Sequence, residues 1–441
     1  MAGSDLPAAG GNQPGAWRAL PILILLYAVA LLDRQILMLM VGPIKEDLHI
    51  SDFQIGLLQG LAFSIFYGVA ALPIGWLVDR SPRRPIIFVG VTVWGLAASL
   101  CGLAQNFIHL LLARVAVGVG EAALSPAAYS MLADFFRPSR LALAMSLLMI
   151  GSCVGGGAAV GLGGIIISFA ESGTTHHLPI LGTLAGWQFV FLVTGLPGMV
   201  LGGLIYLVRE PIRRDRASTG SPPITDTFRF IRSRGGFFAC HFGGFGLLSL
   251  VTCGFLNWLP TYIIREFGWS VGQITLPLAI LLGIVSTLGT LGTGYLIDRL
   301  FSAGHTDAHL RVYAVITVGM SIIGVAAFQM PQAWIFLLLI TPIIATMVLA
   351  AAAGAALQIV TPNEMRGQIG AMFLFVMTGI GFGFGPALVG AITDFLFQDE
   401  ARVGSSIALL FGIGGPISAI ILALGMAPMR RAVAAAESWR T

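Results

Sequence analysis

Charge is what this 441-residue sequence has least of. Only 10% of its residues are charged, while 56% are hydrophobic. A soluble domain carries about 25% charged residues. With a mean hydropathy of +0.90, the composition excludes a water-soluble core of this length and makes lipid the main solvent. Lysine is nearly absent: Lys45 is the single one among 24 basic residues. The net charge of +4 gives no basis for a nucleic-acid partner. Cysteine is scarce too. Cys101, Cys153, Cys240 and Cys253 each lie in an apolar stretch, with no metal or disulfide spacing. They read as free thiols, and neither a metal nor a cofactor is expected. His-Glu-x-x-His and Gly-x-Ser-x-Gly are both missing, which argues against an intramembrane enzyme. The doublet His176-His177 stands beside Gly and Thr and reads as part of an external loop. Alternating ten-residue segments, the mark of a membrane β-barrel, do not occur. Residues 1–16 carry no basic run before the first apolar stretch, so they do not resemble a cleaved signal. The chain holds no Asn-x-Ser/Thr site; with the arginine bias, this points to a bacterial inner membrane.

Long apolar runs are what the sequence has in abundance. A helix crossing ~30 Å of hydrocarbon needs about 20 apolar residues. Such runs fall near 18–40, 53–78, 85–105, 107–132, 141–169 and 186–208, and again near 237–263, 271–297, 311–330, 332–359, 367–395 and 405–428. The expected fold is all-α, with 12 transmembrane helices. Arginine distribution sets the orientation. With the N-terminus in the cytoplasm, 19 basic residues fall inside, three outside (Lys45, Arg265, Arg402), and Arg34 and Arg114 within spans. Both termini are therefore expected in the cytoplasm. The divisions expected are an N-terminal tail (1–17), a six-helix bundle (18–208), a flexible Pro- and Ser-containing basic linker (209–236), a second bundle (237–430) and a tail (431–441).

Two stretches repeat. Gly75-Trp-Leu-Val-Asp79-Arg80 ends the second helix, and Gly294-Tyr-Leu-Ile-Asp298-Arg299 ends the eighth. A weaker echo links Pro138-Ser-Arg140 before helix five with Pro362 to Arg366 before helix eleven. Matched halves in one polytopic chain mark carriers rather than channels, whose filters repeat across subunits. The glycines are expected to permit a tight helix crossing. The carboxylates are expected to face positive helix N-termini, Asp79 at the start of helix eleven and Asp298 at the start of helix five.

The Gly75, Asp79, Arg80, Arg83, Arg84 pattern resembles the loop motif of the major facilitator superfamily. Arg114-Val-Ala-Val-Gly118-Val-Gly120-Glu121 resembles that family's Arg-x-x-x-Gly-x-Gly segment. Glycine-rich helix five resembles the antiporter motif but lacks its Gly-Pro pair. Leu32-Asp33-Arg34-Gln35 and Gly118 to Pro126 resemble the spinster-like branch. The resemblance implies two pseudo-symmetric six-helix bundles and, as in animal members, export of lysolipids or sphingoid lipid phosphates.

A charge at the bilayer centre costs roughly 2.5–3.5 kcal/mol on insertion scales, so it usually has a partner and a role. Asp33, Arg34, Arg114 and Glu121 are the deep charges, all in the first half. Any proton site is expected there. Arg114 and Glu121 are two turns apart on one face, with Gly118 between them leaving room for helix one. Adjacent Asp33 and Arg34 point about 100° apart. One arrangement pairs Asp33 with Arg114 and Arg34 with Glu121, but spacing alone leaves the pairing open. A buried carboxyl beside arginine is pulled both ways in pKa, which suits proton coupling. Asp33 is the expected main carrier and Glu121 the second, with Arg34 or Arg114 competing for the carboxylate or holding an anionic headgroup.

Candidate cavity-lining residues are Tyr27, Gln59, Tyr67, Ser125, Tyr129, Asn257, Trp258 and Gln358, with apolar Phe373 and Met377 in the second half. That asymmetry suits an amphipathic substrate with its head near helices one and four. The expected activity is proton-coupled, alternating-access transport of such a substrate by a monomer in the bilayer. The alternative is a multidrug or organic-anion transporter.

Overall fold

A computed structural model describes residues 12–171, 176–178, 182–213 and 223–437. It contains twelve helices long and apolar enough to cross a membrane. They are α1 (Ala16–Leu39), α2 (Asp52–Arg80), α3 (Arg83–Cys101), α4 (Phe107–Phe135), α5 (Leu143–Ala170), α6 (Gly186–Leu207), α7 (Gly235–Phe267), α8 (Val271–Ser302), α9 (Ala308–Ala327), α10 (Ala333–Val360), α11 (Arg366–Phe397) and α12 (Glu400–Ala436). Each span agrees with an expected apolar run. A backbone in lipid must satisfy its own hydrogen bonds, so an apolar run of this length has no alternative to a helix.

Two details depart from expectation. The His176-His177 doublet is part of a short antiparallel hairpin, β1 (His176–Leu178) with β2 (Gly182–Leu184). The linker is not wholly irregular, because Ile224–Ser233 forms a helix anchored by a Thr227–Gln368 hydrogen bond of 2.5 Å. Arg214, Arg216, Arg440 and residues 1–11 lie outside the described residues, as does the side chain of Cys153. Cys101, Cys240 and Cys253 are not in disulfides.

The chain forms two compact units. The first comprises Met1–His49, Ala62–Ala217 and Val271–Gly283; the second comprises Ile50–Leu61, Ser218–Ser270 and Ile284–Thr441. Thus α2 and α8 each contribute to both. Each changes unit at an irregularity. In α2 the helix breaks at Gly60 (φ −110°, ψ −87°). In α8 a π-helical turn spans Leu281–Val285.

In the first unit α3 packs along α6, and α1 along α5. Small residues allow these contacts. Gly95 lies against Met199 and Gly195, Gly155 against Ala28, and Gly157 against Ala279 and Gly283. In the second unit α7 packs on α11 and α12, and α9 on α12. Further π-helical turns interrupt α11 (Met377–Phe384 and Ile392–Phe397) and α12 (Leu410–Gly414). Helix α10 is broken at residues 347–349.

Candidate functional site

The four deep charges of the first unit form two ion pairs. Arg114 Nη1 donates to Asp33 Oδ2, and Arg34 Nη2 donates to Glu121 Oε2. This is the pairing that spacing had allowed without requiring. The pairs differ in exposure. Arg114 and Asp33 are sealed, at 1% and 5%, whereas Arg34 is 29% exposed over a buried Glu121. Each carboxylate uses one oxygen for its arginine. Asp33 Oδ1 and Glu121 Oε1 are buried without a protein partner, as are both arginine Nε atoms. A buried polar atom of this kind is costly unless something binds it. The site is therefore half-satisfied, with two carboxylate oxygens able to take a proton and two guanidinium edges able to donate.

Two neighbours complete the site, and the sequence reading did not include one of them. Phe63 of α2 lies with its ring 4.0 Å from the Arg34 guanidinium carbon, a cation–π contact that holds the more exposed arginine. Phe63 also corrects the expected role of Gly118. The element approaching Gly118 is α2 and not α1: a Cβ there would sit 2.5 Å from the Phe63 carbonyl oxygen. Close by, Tyr67 donates to Ser125 Oγ at 3.2 Å and stacks on Phe63 at 5.5 Å. Tyr27 faces the same serine and Tyr129. Four of the expected cavity residues thus do come together, beside the ion pairs.

The others do not. Trp258 is fully buried, its Nε1 donating to the Pro386 carbonyl at 2.9 Å. Phe373 is 2% exposed among the rings of His241, Phe242 and Phe245. Both are packed in the core; sequence alone cannot tell a packed aromatic from a lining one. Asn257 donates to its own helix at Cys253 O. Met377 takes a hydrogen bond from Ser249 on its carbonyl. Gln358 is exposed, and both amide atoms of buried Gln59 lack a protein partner.

The repeated motif also differs from expectation. A Cβ on Gly75 or Gly294 would meet nothing within 4 Å, so neither marks a tight crossing among the described residues. Asp79, Arg80, Asp298 and Arg299 are exposed; Arg80 lies over its own Trp76 at 4.3 Å, and Arg213 donates to the Asp79 carbonyl. The organising residue is Arg83, 1% exposed. Its guanidinium donates to Asp134, to Ser130 (3.2 Å), to Glu210 (2.7 Å) and to the Pro211 carbonyl (2.8 Å). Glu210 also accepts the backbone N–H groups of Arg83 and Arg84 at 3.0 Å each. Burial pushes the Glu210 carboxyl up, but the Arg83 and Arg84 hydrogen bonds outweigh it and hold the group below its ordinary value. Arg84 reaches the Tyr206 carbonyl at 3.0 Å. The second unit builds the equivalent turn with the signs reversed. Buried Asp307 accepts from Arg311 (3.0 and 3.1 Å) and from Arg430. Burial raises its pKa, the two arginines lower it, and the arginines prevail.

One further ion pair lies in the second unit, at the start of α2. Arg265 clamps fully buried Asp52 at 2.7 and 2.9 Å and reaches the Glu400 carbonyl at 3.1 Å. The Phe53 N–H donates to Asp394 at 2.6 Å. The sequence puts Arg265 in an outside segment; in the structure it stands in the last turn of α7.

Comparison with known proteins bears on this arrangement. A Mycolicibacterium smegmatis MFS-type efflux pump is 27% identical over 430 residues, 94% of each chain. The Drosophila melanogaster protein spinster is 26% identical over 90% of this chain and 64% of its own. The crystal structure of a bacterial homolog to the human lysosomal transporter spinster, in an inward-facing and unoccupied conformation, has the same fold. It superposes with a TM-score of 0.74 at 24% identity, covering 96% of this chain and 98% of that one. The profile of the Major Facilitator Superfamily matches residues 23–386. The chain belongs to that superfamily, and is a multi-pass plasma-membrane transporter rather than an enzyme.

Proposed function

We propose that the chain is a proton-coupled secondary transporter of an amphipathic, lipid-like substrate such as a lysolipid or sphingoid lipid phosphate. The observation that carries this reading is the pair of buried carboxylate oxygens, Asp33 Oδ1 and Glu121 Oε1, left without a protein partner beside arginines. A proton on Asp33 neutralises that carboxylate, breaks the sealed ion pair and frees Arg114, which keeps its charge. A proton on Glu121 frees Arg34, the guanidinium within reach of an anionic headgroup. Carboxylate and headgroup thus compete for the same arginines, a proton on the carboxylate releases the arginine to the headgroup, and that linkage couples their movements. Tyr27, Tyr67 and Tyr129 supply an amphipathic wall next to the head site.

We read residues 18–208 and 237–430 as two six-helix halves with both termini in the cytoplasm, because the basic residues divide 19 to three that way. Asp79 and Asp298 then lie at the cytoplasmic ends of α2 and α8, in reach of a gating role. A second reading, an organic-anion transporter, is favoured by a Bacillus subtilis hexuronate transporter, 26% identical over 89% of this chain and 94% of its own. Arg34 suits either head group.

Purified protein in proteoliposomes, offered a lysolipid, a lipid phosphate, a hexuronate and a cationic dye, with and without a pH gradient, separates these readings. Gradient-driven accumulation of the lipids alone supports the first. Accumulation of the hexuronate alone supports the second.

A further inference from the structure

Among the described residues the second unit has no ion pair deep in its helices to match those of α1 and α4, but it does bury two imidazoles. His241 on α7 is fully buried. Its Nε2 lies 3.0 Å from the Ala353 carbonyl on α10 and so carries the hydrogen. His309, near the start of α9, is 3% exposed, and its Nδ1 is buried without a protein partner. His309 lines a cavity of about 120 Å³ between α8, α9 and α10, together with Thr290, Thr293, Asp298, Tyr313 and Val348. That volume accommodates several water molecules, and Thr290, Thr293, Asp298 and His309 offer them polar partners in an otherwise largely apolar lining. Asp298 is exposed while His309 is not, so the carboxylate stands at the mouth and the imidazole inside. The wall opposite is the break in α10 at residues 347–349, where the Tyr313 hydroxyl donates to the Val348 carbonyl at 3.2 Å.

We propose that this cavity is a proton-binding site of the second unit, with His309 the group that takes the proton and Asp298 the carboxylate that attracts it. Imidazole is the side chain whose ordinary titration lies between about pH 5 and 8, and here burial opposes the proton while the Asp298 charge favours it. The other ionisable groups around it are otherwise engaged. On the same turn, Asp307 is held by Arg311 and Arg430 and keeps its charge. On α7, His241 is committed to Ala353 and enclosed by Phe237, Phe242, Phe245 and Phe373. On α9 itself, the Tyr313 hydroxyl is a donor to α10. On α8, Arg299 is exposed and is not part of the lining. The edge of the Phe301 ring, 5.8 Å from the His309 ring, closes one side. A proton entering past Asp298 turns the neutral imidazole into the cationic partner of that carboxylate, beside the interrupted stretch of α10. The site is independent of Asp33 and of the identity of the transported substrate.

The test is solid-state NMR of the full chain, labelled with [15N]histidine and reconstituted in liposomes, from pH 8.5 to 5. The resonance that His309→Gln removes should pass from the neutral to the doubly protonated form within that range, while His241 keeps its Nε2–H form. Asp298→Asn should move the same midpoint down by about half a unit or more, through loss of the neighbouring negative charge. A His309 resonance that stays neutral throughout overturns the proposal. If His309→Gln does not fold, Asp298→Asn decides alone, and no displaced histidine midpoint overturns the proposal as well.

Discussion

The two units differ in where they keep their polarity. The first carries Asp33, Arg34, Arg114 and Glu121 on helices free of π-turns among the described residues. The second has no such ion pair deep in its helices among the described residues, but its helices are irregular, with π-helical turns in α11 and α12 and a broken α10. Such turns free carbonyls and allow local movement, and they collect at functional sites. The contrast suggests a division of labour: side-chain charge for coupling in one unit, and backbone adaptability in the other.

Removing one partner of a charged pair should expose that contrast most sharply. Arg114→Ala leaves Asp33 buried and unpaired, which costs roughly 3–5 kcal/mol. The expected outcome is loss of most monodisperse protein on detergent gel filtration. Arg114→Ala with Asp33→Ala should recover much of that loss, because the uncompensated charge is gone. Full stability of the single variant would show that the first unit does not depend on its charges.

Packing comes next. Gly118→Ala drives a methyl into the Phe63 carbonyl and should lower stability by about 1–3 kcal/mol, visible as a lower thermal midpoint. Gly75→Ala, where a Cβ meets nothing, should leave the midpoint near wild type. In the second unit, His241→Gln removes one neutral hydrogen bond to Ala353 and should cost about 1 kcal/mol. A loss as large as that of Arg114→Ala would erase the difference between the units.

The smallest effect concerns acid. Glu210 has a folded pKa below its ordinary value, so its contribution to stability is complete above the unfolded value, about 4.3. That contribution is lost as pH falls through the folded value. Thermal midpoints of wild type and Glu210→Gln should therefore differ at neutral pH and converge only in acid, once the pH has fallen below the depressed folded value. A gap that persisted in acid would show that Glu210 acts through shape rather than charge.

Much of this was legible in the sequence. Hydropathy located all twelve helices because lipid leaves the backbone no other choice. The two-turn spacing of Arg114 and Glu121 placed them on one face, and only the register between α1 and α4 was missing to fix the pairing. What stayed hidden depends on contacts across helices. Phe63 is one apolar residue among many in α2, and nothing in its neighbours announces a cation–π contact. His241 and His309 escaped because a count of formal charges passes over neutral imidazoles. Trp258 and Phe373 read as lining because burial is set by neighbours on α11 and α7. The break in α10 falls in the apolar run Met347-Val-Leu349, five residues beyond Pro342, where local sequence gives no sign of it.

The central claim is that Asp33 carries the coupled proton. Proteoliposomes loaded with a pH indicator and offered the transported lysolipid or hexuronate test it directly, by recording proton and substrate fluxes together. Wild type should move protons in step with substrate and accumulate it against a gradient. Asp33→Asn should still exchange substrate in counterflow but move no protons and accumulate nothing. Uphill, pH-driven transport by Asp33→Asn at the wild-type rate would contradict the account.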